Sequence, residues 1–375
     1  MSTFEIIAEC PRTKARAGVL HTAHGDVFTP AFMPVGTQAT VKAITAQELV
    51  ELRAQIVLCN AYHLHLRPGE RLISRAGGLH HFMNWHRPLL TDSGGYQVFS
   101  LEGLARLDDD GILFHSHLDG TKRRFTPESV MAIQEALGAD IAVTLDEPVP
   151  YPSDAEAARI ATERSEAWAE RCLAAHSRSD QLIFGIVQGG FSPEHRVASA
   201  GRVGQMGFDG HCIGGLSVGE PRDLTWELVE ATCEPLPADR PRYLMGVGAP
   251  EEIVQAVSLG ADMFDCVLPT RLGRNGCAFT TRGRLNLKSA EFAEDFRALD
   301  ESCPCRSCAG YSRAYVRHLY KAKEILAAQL VTYHNLHFYL TTMRRIREAI
   351  VAGTFADLQR HARESGGCKW TNWYA

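Results

Sequence analysis

No uncharged apolar run in this 375-residue chain approaches the roughly 18 to 20 residues that cross a bilayer, so a membrane-spanning helix is excluded and no membrane partner is expected. Residues 1–16 lack the continuous apolar stretch and small-residue cleavage site of a signal peptide, because Glu5, Glu9 and Cys10 interrupt them; a cytoplasmic protein is expected. No low-complexity tract or long Pro/Ser linker separates independent halves, which predicts one main core. The chain also lacks a strongly basic balance: its net charge is −5 and its pI about 6.3, giving no global sign of nucleic-acid binding. Eleven cysteines are present, an odd number and mostly scattered. In a cytosolic chain thiols stay reduced, so tight clustering points to metal or catalysis before disulfides.

What is present is ordinary globular composition, 45% hydrophobic and 22% charged. A short β-rich apolar run ending abruptly in polar residues or glycine recurs along it, each followed by helix-start chemistry. Such runs cover Gln55 to Cys59, Pro88 to Leu90, Asp140 to Leu145, Leu182 to Val187, Cys212-Ile213, Tyr243 to Met245 and Met263-Phe264. Helix starts are predicted at Thr45-x-x-Glu48 and Ser153-x-x-Glu156 as capping boxes, and at Pro127, Pro193 and Pro250 as first helical residues. Repeated strand-loop-helix alternation means a parallel sheet, closed or open. Polar residues end at least five of the runs, and no G-x-G-x-x-G follows the first. Both features favour an irregular (β/α)8 barrel, which gathers all strand ends into one mouth, over an open dinucleotide fold.

Cys303-Pro304-Cys305-Arg306-Ser307-Cys308 packs three thiols into six residues, with His334 and His337 within about thirty. Three thiolates and an imidazole suit tetrahedral Zn²⁺, and four filled positions leave none for water, so one structural ion is expected. His334 is preferred as the fourth ligand, although spacing barely separates it from His337. Eight Lys/Arg between residues 303 and 348 face only Glu324 and Glu348. This is a local positive region, for which a solvated helical face is the plain alternative.

Asp92, Asp146 and Asp265 each close a predicted strand, so three carboxylates reach the same rim. Paired carboxylates around an anomeric carbon are the usual machinery of glycosyl chemistry. Gln188 and the Gly214-Gly215 turn add neutral donors able to read a base carbonyl, while an aspartate accepts from ring and exocyclic amines. Gly94 and Gly95 let a ligand approach the backbone, and Tyr96 offers a ring for stacking. Pro269 to Gly276 adds two cations beside the Asp265 strand end, suited to phosphates. Helix capping for Asp92, ion pairs for Asp146 and Asp265, tight turns for the glycines and a solvated loop for the cations are the structural alternatives.

Together these residues resemble the bacterial tRNA-guanine transglycosylase family over nearly the whole chain. The resemblance is carried by Thr91-Asp-Ser-Gly-Gly-Tyr-Gln-Val-Phe-Ser100, Phe184-Gly-Ile-Val-Gln-Gly-Gly190, Gly214-Gly-Leu-Ser-Val-Gly-Glu220, Tyr243-Leu-Met-Gly-Val-Gly-Ala-Pro-Glu251, Phe264-Asp-Cys-Val-Leu-Pro-Thr-Arg271 and the final C-x-C-x-x-C. It implies an irregular (β/α)8 barrel with N-terminal strands over 1–298, a zinc-binding subdomain over 299–335, and C-terminal helices returning to the barrel over 336–375, usually as a homodimer. It implies exchange of the wobble guanine of GUN-anticodon tRNAs for the small-molecule base 7-aminomethyl-7-deazaguanine, a precursor of queuosine. Asp265 would be the nucleophile and Asp92 the proton-handling residue. Ser93, Gly94, Gly95, Tyr96, Asp146, Gln188 and Gly215 would hold the base. Gly246, Val247, Gly248, Ala249, Pro250, Glu251 and Glu252, with Thr270, Arg271, Leu272, Gly273 and Arg274, would contact the RNA. Cys303, Cys305, Cys308 and His334 would bind the zinc. One departure stands out: the family pattern Asp-Glu-Cys reads Asp146-Glu147-Pro148 here. Val218 fits the bacterial form, since relatives that take queuine have a smaller residue there.

Two competing readings remain. His63-Leu64-His65 and His115-Ser116-His117 resemble the H-x-H pairs of metal-dependent amidohydrolase barrels. A non-catalytic tRNA-binding partner subunit is the other, and retention of both Asp92 and Asp265 argues against it.

Overall fold

The computed structural model describes residues 3–99 and 105–364. Eight parallel strands follow one another around a barrel in chain order: Ala31–Met33, Val57–Asn60, Leu89–Asp92, Ile141–Val143, Leu182–Val187, Gly210–Ile213, Arg242–Leu244 and Met263–Asp265. The last pairs with the first in the register Asp265↔Met33. The remaining seam, between the first and second strands, is closed by a parallel bridge at Val35↔Leu58. Gly36 N donates to Leu58 O at 2.6 Å and Leu58 N to Pro34 O at 3.1 Å. Strands such as Ile141-Ala142-Val143 are buried on both faces, so they read as continuous apolar runs without alternation.

The first strand escaped the sequence reading because only three residues, Ala31–Met33, stand between Pro30 and Pro34. Two prolines so close deny the run the length and the donors by which a strand is recognised. The predicted helix starts mostly hold: Thr45 forms its capping box with Glu48, and Thr126 and Ser192 cap the helices that Pro127 and Pro193 begin. The helix Ala155–Ala175 differs. Its cap is Asp154, not Ser153, with the carboxylate accepting from Glu156 N and Ala157 N at 3.1 Å each.

An antiparallel sheet of Phe4–Glu9, Arg16–Thr22 and Gly25–Thr29 covers the N-terminal ends of the barrel strands, and its Phe4, Leu20 and Val27 join Met33, Leu90, Val143, Phe184 and Tyr243 in the barrel interior. Two buried carboxylates fasten this floor. Asp262, just before the last strand, takes a bidentate pair from Arg16 (3.0 and 2.6 Å) and the amide of Arg242 at 2.7 Å. Asp140, just before the Ile141–Val143 strand, accepts from His24 N, His24 Nδ1, His80 Nε2 and Leu89 N at 2.8 to 3.0 Å. The His24 and His80 rings lie nearly parallel, 3.6 Å between centroids and 16° between planes. One ion could not lie in both ring planes, so this group reads as a structural lock.

On the outside, a three-stranded antiparallel insertion (Ala105–Asp108, Gly111–His115, Lys122–Phe125) follows the Leu89–Asp92 strand, and a hairpin (Cys277–Thr280, Gly283–Asn286) follows the last barrel strand. The 27-residue helix Ile325–Val351 then packs along the helix Leu268–Arg274 and against the first barrel strand, filling the outer layer between last and first strands. The expected boundary at 335/336 falls inside this helix. Several cations of the 303–348 region are engaged internally: Arg306 with Glu48 and Glu51, Arg313 with Asp295, Arg317 with Ser289 O, and Arg347 with Pro30 O.

Asp140→Ala removes the acceptor of four donors, two of them backbone amides at the barrel floor. Leaving buried donors unmade costs on the order of 3 kcal/mol in total, so thermal denaturation should show a clear fall in Tm.

Candidate active site

Asp92 and Asp265 are the last residues of their strands, and Asp146 stands three residues beyond the Ile141–Val143 strand. All three therefore sit at the C-terminal mouth, whereas Asp140 and Asp262 precede their strands and serve the opposite floor. The mouth carboxylates act on one another electrostatically. Burial pushes Asp92 up to about 6, three hydrogen bonds pull against that, and the charge of Asp265 adds to the rise. Burial likewise pushes Asp146 up to about 7, opposed by its bond from Gln188 and reinforced by the charges of Asp92 and Glu147.

Hydrogen bonding separates Asp92 from Asp265. Both oxygens of Asp92 are engaged: Oδ1 accepts from Ala61 N at 3.0 Å, and Oδ2 from the side-chain amides of Asn60 and, at 2.8 Å, Gln97. Asp92 thus caps the helix Ala61–Leu66 beside it, not the one that follows it. Asp265 accepts from Tyr243 OH at 2.7 Å and Gly246 N at 2.8 Å, both on Oδ1. Among the described residues nothing bonds its Oδ2, and Asp265 is also the least buried of the three. An unengaged carboxylate oxygen on a held carboxyl group is what attack on carbon requires. Burial raises the Asp265 carboxyl, and the two donors oppose that rise.

The flanking turns close around Asp146. Gln188 Nε2 donates to Asp146 Oδ2 at 2.7 Å, while Gln188 Oε1 is buried and has no partner among the described residues. Gly215 has φ +67°, which favours glycine, and a Cβ there would stand 2.3 Å from Gln188 Oε1 and push that amide aside. A Cβ on Gly95 would meet Asp146 Oδ1 at 2.7 Å, which places the Ser93-Gly94-Gly95 turn against that carboxylate. Ser93 is buried and Tyr96 is 53% exposed at the edge. Asp92, Ser93, Gly95, Asp146, Gln188, Gly215 and Asp265 therefore form one neighbourhood, with Pro148 lining a narrow gap beside Gly95 and Asp146. Ser100, at the end of the 91–100 motif, lies outside the described residues.

Of segments 246–252 and 270–274, only Gly246 and Arg271 are exposed. Val247, Gly248, Ala249, Pro250, Thr270 and Gly273 are buried, Glu252 caps Ala249 N at 3.1 Å and pairs with Arg222, and Leu272 and Arg274 are half-buried. Sequence reading missed Asn60, Gln97 and Tyr243 as holders of the carboxylates. Asn60 carried the available signal, a polar residue ending a strand, whereas Tyr243 lies inside one.

Cys303, Cys305, Cys308 and His334 are all buried and bring four donor atoms within 4.8 Å of one another. His334 Nδ1 lies 3.5 Å from Cys305 Sγ and 3.3 Å from Cys308 Sγ. Its Nε2 is 2.6 Å from Phe279 O, which fixes that nitrogen as the donor and leaves the Nδ1 lone pair facing the thiols. His337 stands outside this set, its Nδ1 3.5 Å from Cys303 Sγ. These residues could hold a metal ion. The H-x-H pairs form no such group among the described residues: His63 and His65 lie on a helix, His65 bonds Glu70, and His117 bonds Tyr62.

The family model described as "Queuine tRNA-ribosyltransferase" matches residues 10–366. Curated proteins of that name resemble the chain throughout. One from Caldanaerobacter subterraneus is 56% identical over 92% of this chain and 93% of its own length. Another from Thermoanaerobacter sp. (strain X514) is 54% identical over 98% of both, and one from Halalkalibacterium halodurans is 50% identical over 99% and 98%.

The raised Asp146 has a consequence for stability. With a folded value near 7 against an ordinary 3.8, its stabilising contribution is complete below about 3.8 and is lost as pH rises through about 7. Asp146→Asn should therefore melt a few degrees above the native protein at pH 8, a gap that closes toward pH 4 in thermal scans.

Proposed function

The chain belongs to the queuine tRNA-ribosyltransferase family, and from that premise we propose that it exchanges the wobble guanine of GUN-anticodon tRNAs for 7-aminomethyl-7-deazaguanine through a covalent Asp265–ribose intermediate. The activity is that of a tRNA-guanine transglycosylase in queuosine biosynthesis. The flipped-out guanosine enters the mouth. Asp265 Oδ2 bonds to the ribose C1′ as the C1′–N9 bond breaks, and the departing guanine takes the bonding pair. Asp92, pushed up to about 6, supplies the proton that neutralises it and later accepts the proton lost by the incoming base. The new N9 then displaces Asp265, and two inversions restore the original stereochemistry. The single observation that carries this reading is the contrast between the two acids, one with an oxygen that nothing among the described residues bonds and one with both engaged.

Asp146, Gln188 and the Gly215 amide read the base, Ser93, Gly94 and Gly95 line it, and Tyr96 stacks on it. Segments 246–252 and 270–274 meet the RNA through their exposed positions, Gly246 and the cation Arg271, while their buried residues hold the shape of the two segments. The half-buried Val218 favours the aminomethyl substrate over queuine. The metal is Zn²⁺ in a structural site: the 3.3 and 3.5 Å nitrogen–sulfur separations match the roughly 3.5 Å edge of a tetrahedron with thiolate and imidazole at zinc bond lengths. Along the chain the barrel runs to residue 298 and the zinc subdomain begins at 299, with the helix Ile325–Val351 belonging both to that subdomain and to the return toward the barrel. A cytoplasmic homodimer completes the reading on the family resemblance. No helix among the described residues is long and apolar enough to cross a membrane.

Two experiments test this. Incubated with an unmodified GUN-anticodon tRNA, the native protein should exchange labelled guanine and yield a denaturation-resistant protein–RNA adduct, both lost in Asp265→Asn; no exchange by the native protein would overturn the reading. Cys308→Ala should lose bound zinc, lower the Tm and weaken tRNA binding at least tenfold by gel shift, because the ligand helix also braces the RNA segments.

A further inference from the structure

Arg196 occupies an energetically poor place for a cation. It is fully buried, lies in the first turn of the helix Pro193–Gln205, and touches no carboxylate among the described residues; the charge of Glu220 acts on it from a distance. The helix N-terminus already carries partial positive charge, and burial disfavours any unpaired ion. Burial accordingly pulls its guanidinium down to about 9. A chain built for stability alone would place an apolar side chain here.

Its contacts give the reason. Arg196 Nε donates to Gly190 O at 3.0 Å and Nη1 to Gly214 O at 2.8 Å, while Nη2 has no partner among the described residues. Gly190 ends the turn that begins at Gln188, and Gly189 lies so close to the helix that a Cβ would meet Arg196 N at 2.8 Å. Gly214 O belongs to the same planar peptide unit as the N–H of Gly215. In a trans peptide the two groups point in opposite directions, so a cation holding the oxygen fixes where the N–H points. It also draws electron density from the amide and makes that N–H a stronger donor.

We infer that Arg196 is a positioning residue for base recognition, orienting and polarising the Gly214–Gly215 peptide and tying it to the Gln188 turn. It acts from behind the pocket, through backbone carbonyls, and touches no reacting atom. The inference rests on the proposed function, in which Gly215 N–H and Gln188 meet the carbonyl of the base. A guanidinium is suited to the task because its planar fork holds two separated carbonyls in fixed directions from two nitrogens, whereas an ammonium's donors all converge on one freely rotating nitrogen.

The test uses full-length Arg196→Met and Arg196→Lys, each checked for native melting and zinc content, with guanine exchange into tRNA as the assay. The native protein's own exchange activity tests the underlying reading separately. In Arg196→Met the KM for guanine should rise about tenfold or more while the KM for tRNA stays within about twofold, and Arg196→Lys should fall between. The preference for guanine over 2-aminopurine, which lacks the carbonyl, should narrow in Arg196→Met as measured by competition. A folded Arg196→Met with native KM and native discrimination overturns the inference. So does a parallel loss in both KM values and kcat, or failure of both variants to fold, since Arg196 would then serve the fold alone.

Discussion

Closure of the barrel at the seam between Val35 and Leu58 is the constraint on which the rest depends. Three of the strands supply carboxylates, and only a closed parallel barrel brings the ends of the third, fourth and eighth strands to a common opening. An open sheet with the same strands would leave Asp92 and Asp265 on distant strand ends. The bonds of Gly36 and Leu58 across the seam, with Asp262 and Asp140 fastening the floor, hold a ring whose opposite rim carries three acids, Asp92 repelled by Asp265 and Asp146 by Asp92.

That repulsion is tolerated because each acid is managed differently. Asp92 is tied by three donors, Asp146 by one amide, and Asp265 by a phenol and a backbone N–H on one oxygen. Burial raises all three carboxyls, and the donors decide how far. A mouth with graded proton affinity follows. Gln188 Oε1, buried and without a partner among the described residues, faces the Gly215 turn of the same mouth.

Much of this was legible in the sequence, for physical reasons. Fully buried parallel strands leave unbroken apolar runs, glycine turns mark close approach, and C-x-C-x-x-C announces a metal-binding turn. Most of the barrel and the acids at its rim could therefore be read directly. The first strand could not, because prolines at 30 and 34 mask its three residues. Nor could Asn60, Gln97, Tyr243 and Arg196, whose parts in the site come from neighbours brought close only by folding. Spacing left His334 and His337 nearly equal; the carbonyl of Phe279, contributed by a distant hairpin, sets His334 apart.

The helix that carries His334 touches the barrel at several levels. Gly273 packs so tightly on it that a Cβ would meet Thr332 Oγ1 at 2.6 Å. Asn335 bridges Phe279 N, Pro269 O and Cys277 O at 2.9 to 3.0 Å, and Tyr339 OH reaches Gly248 O at 2.5 Å. These rungs span about two turns, and inserting one residue among them would rotate everything beyond by about 100°. No such insertion could satisfy the thiol cluster and both strand-end loops together. The spacing from 332 to 339 is thus a ruler held at both ends, and length variation among proteins built this way belongs elsewhere in the chain.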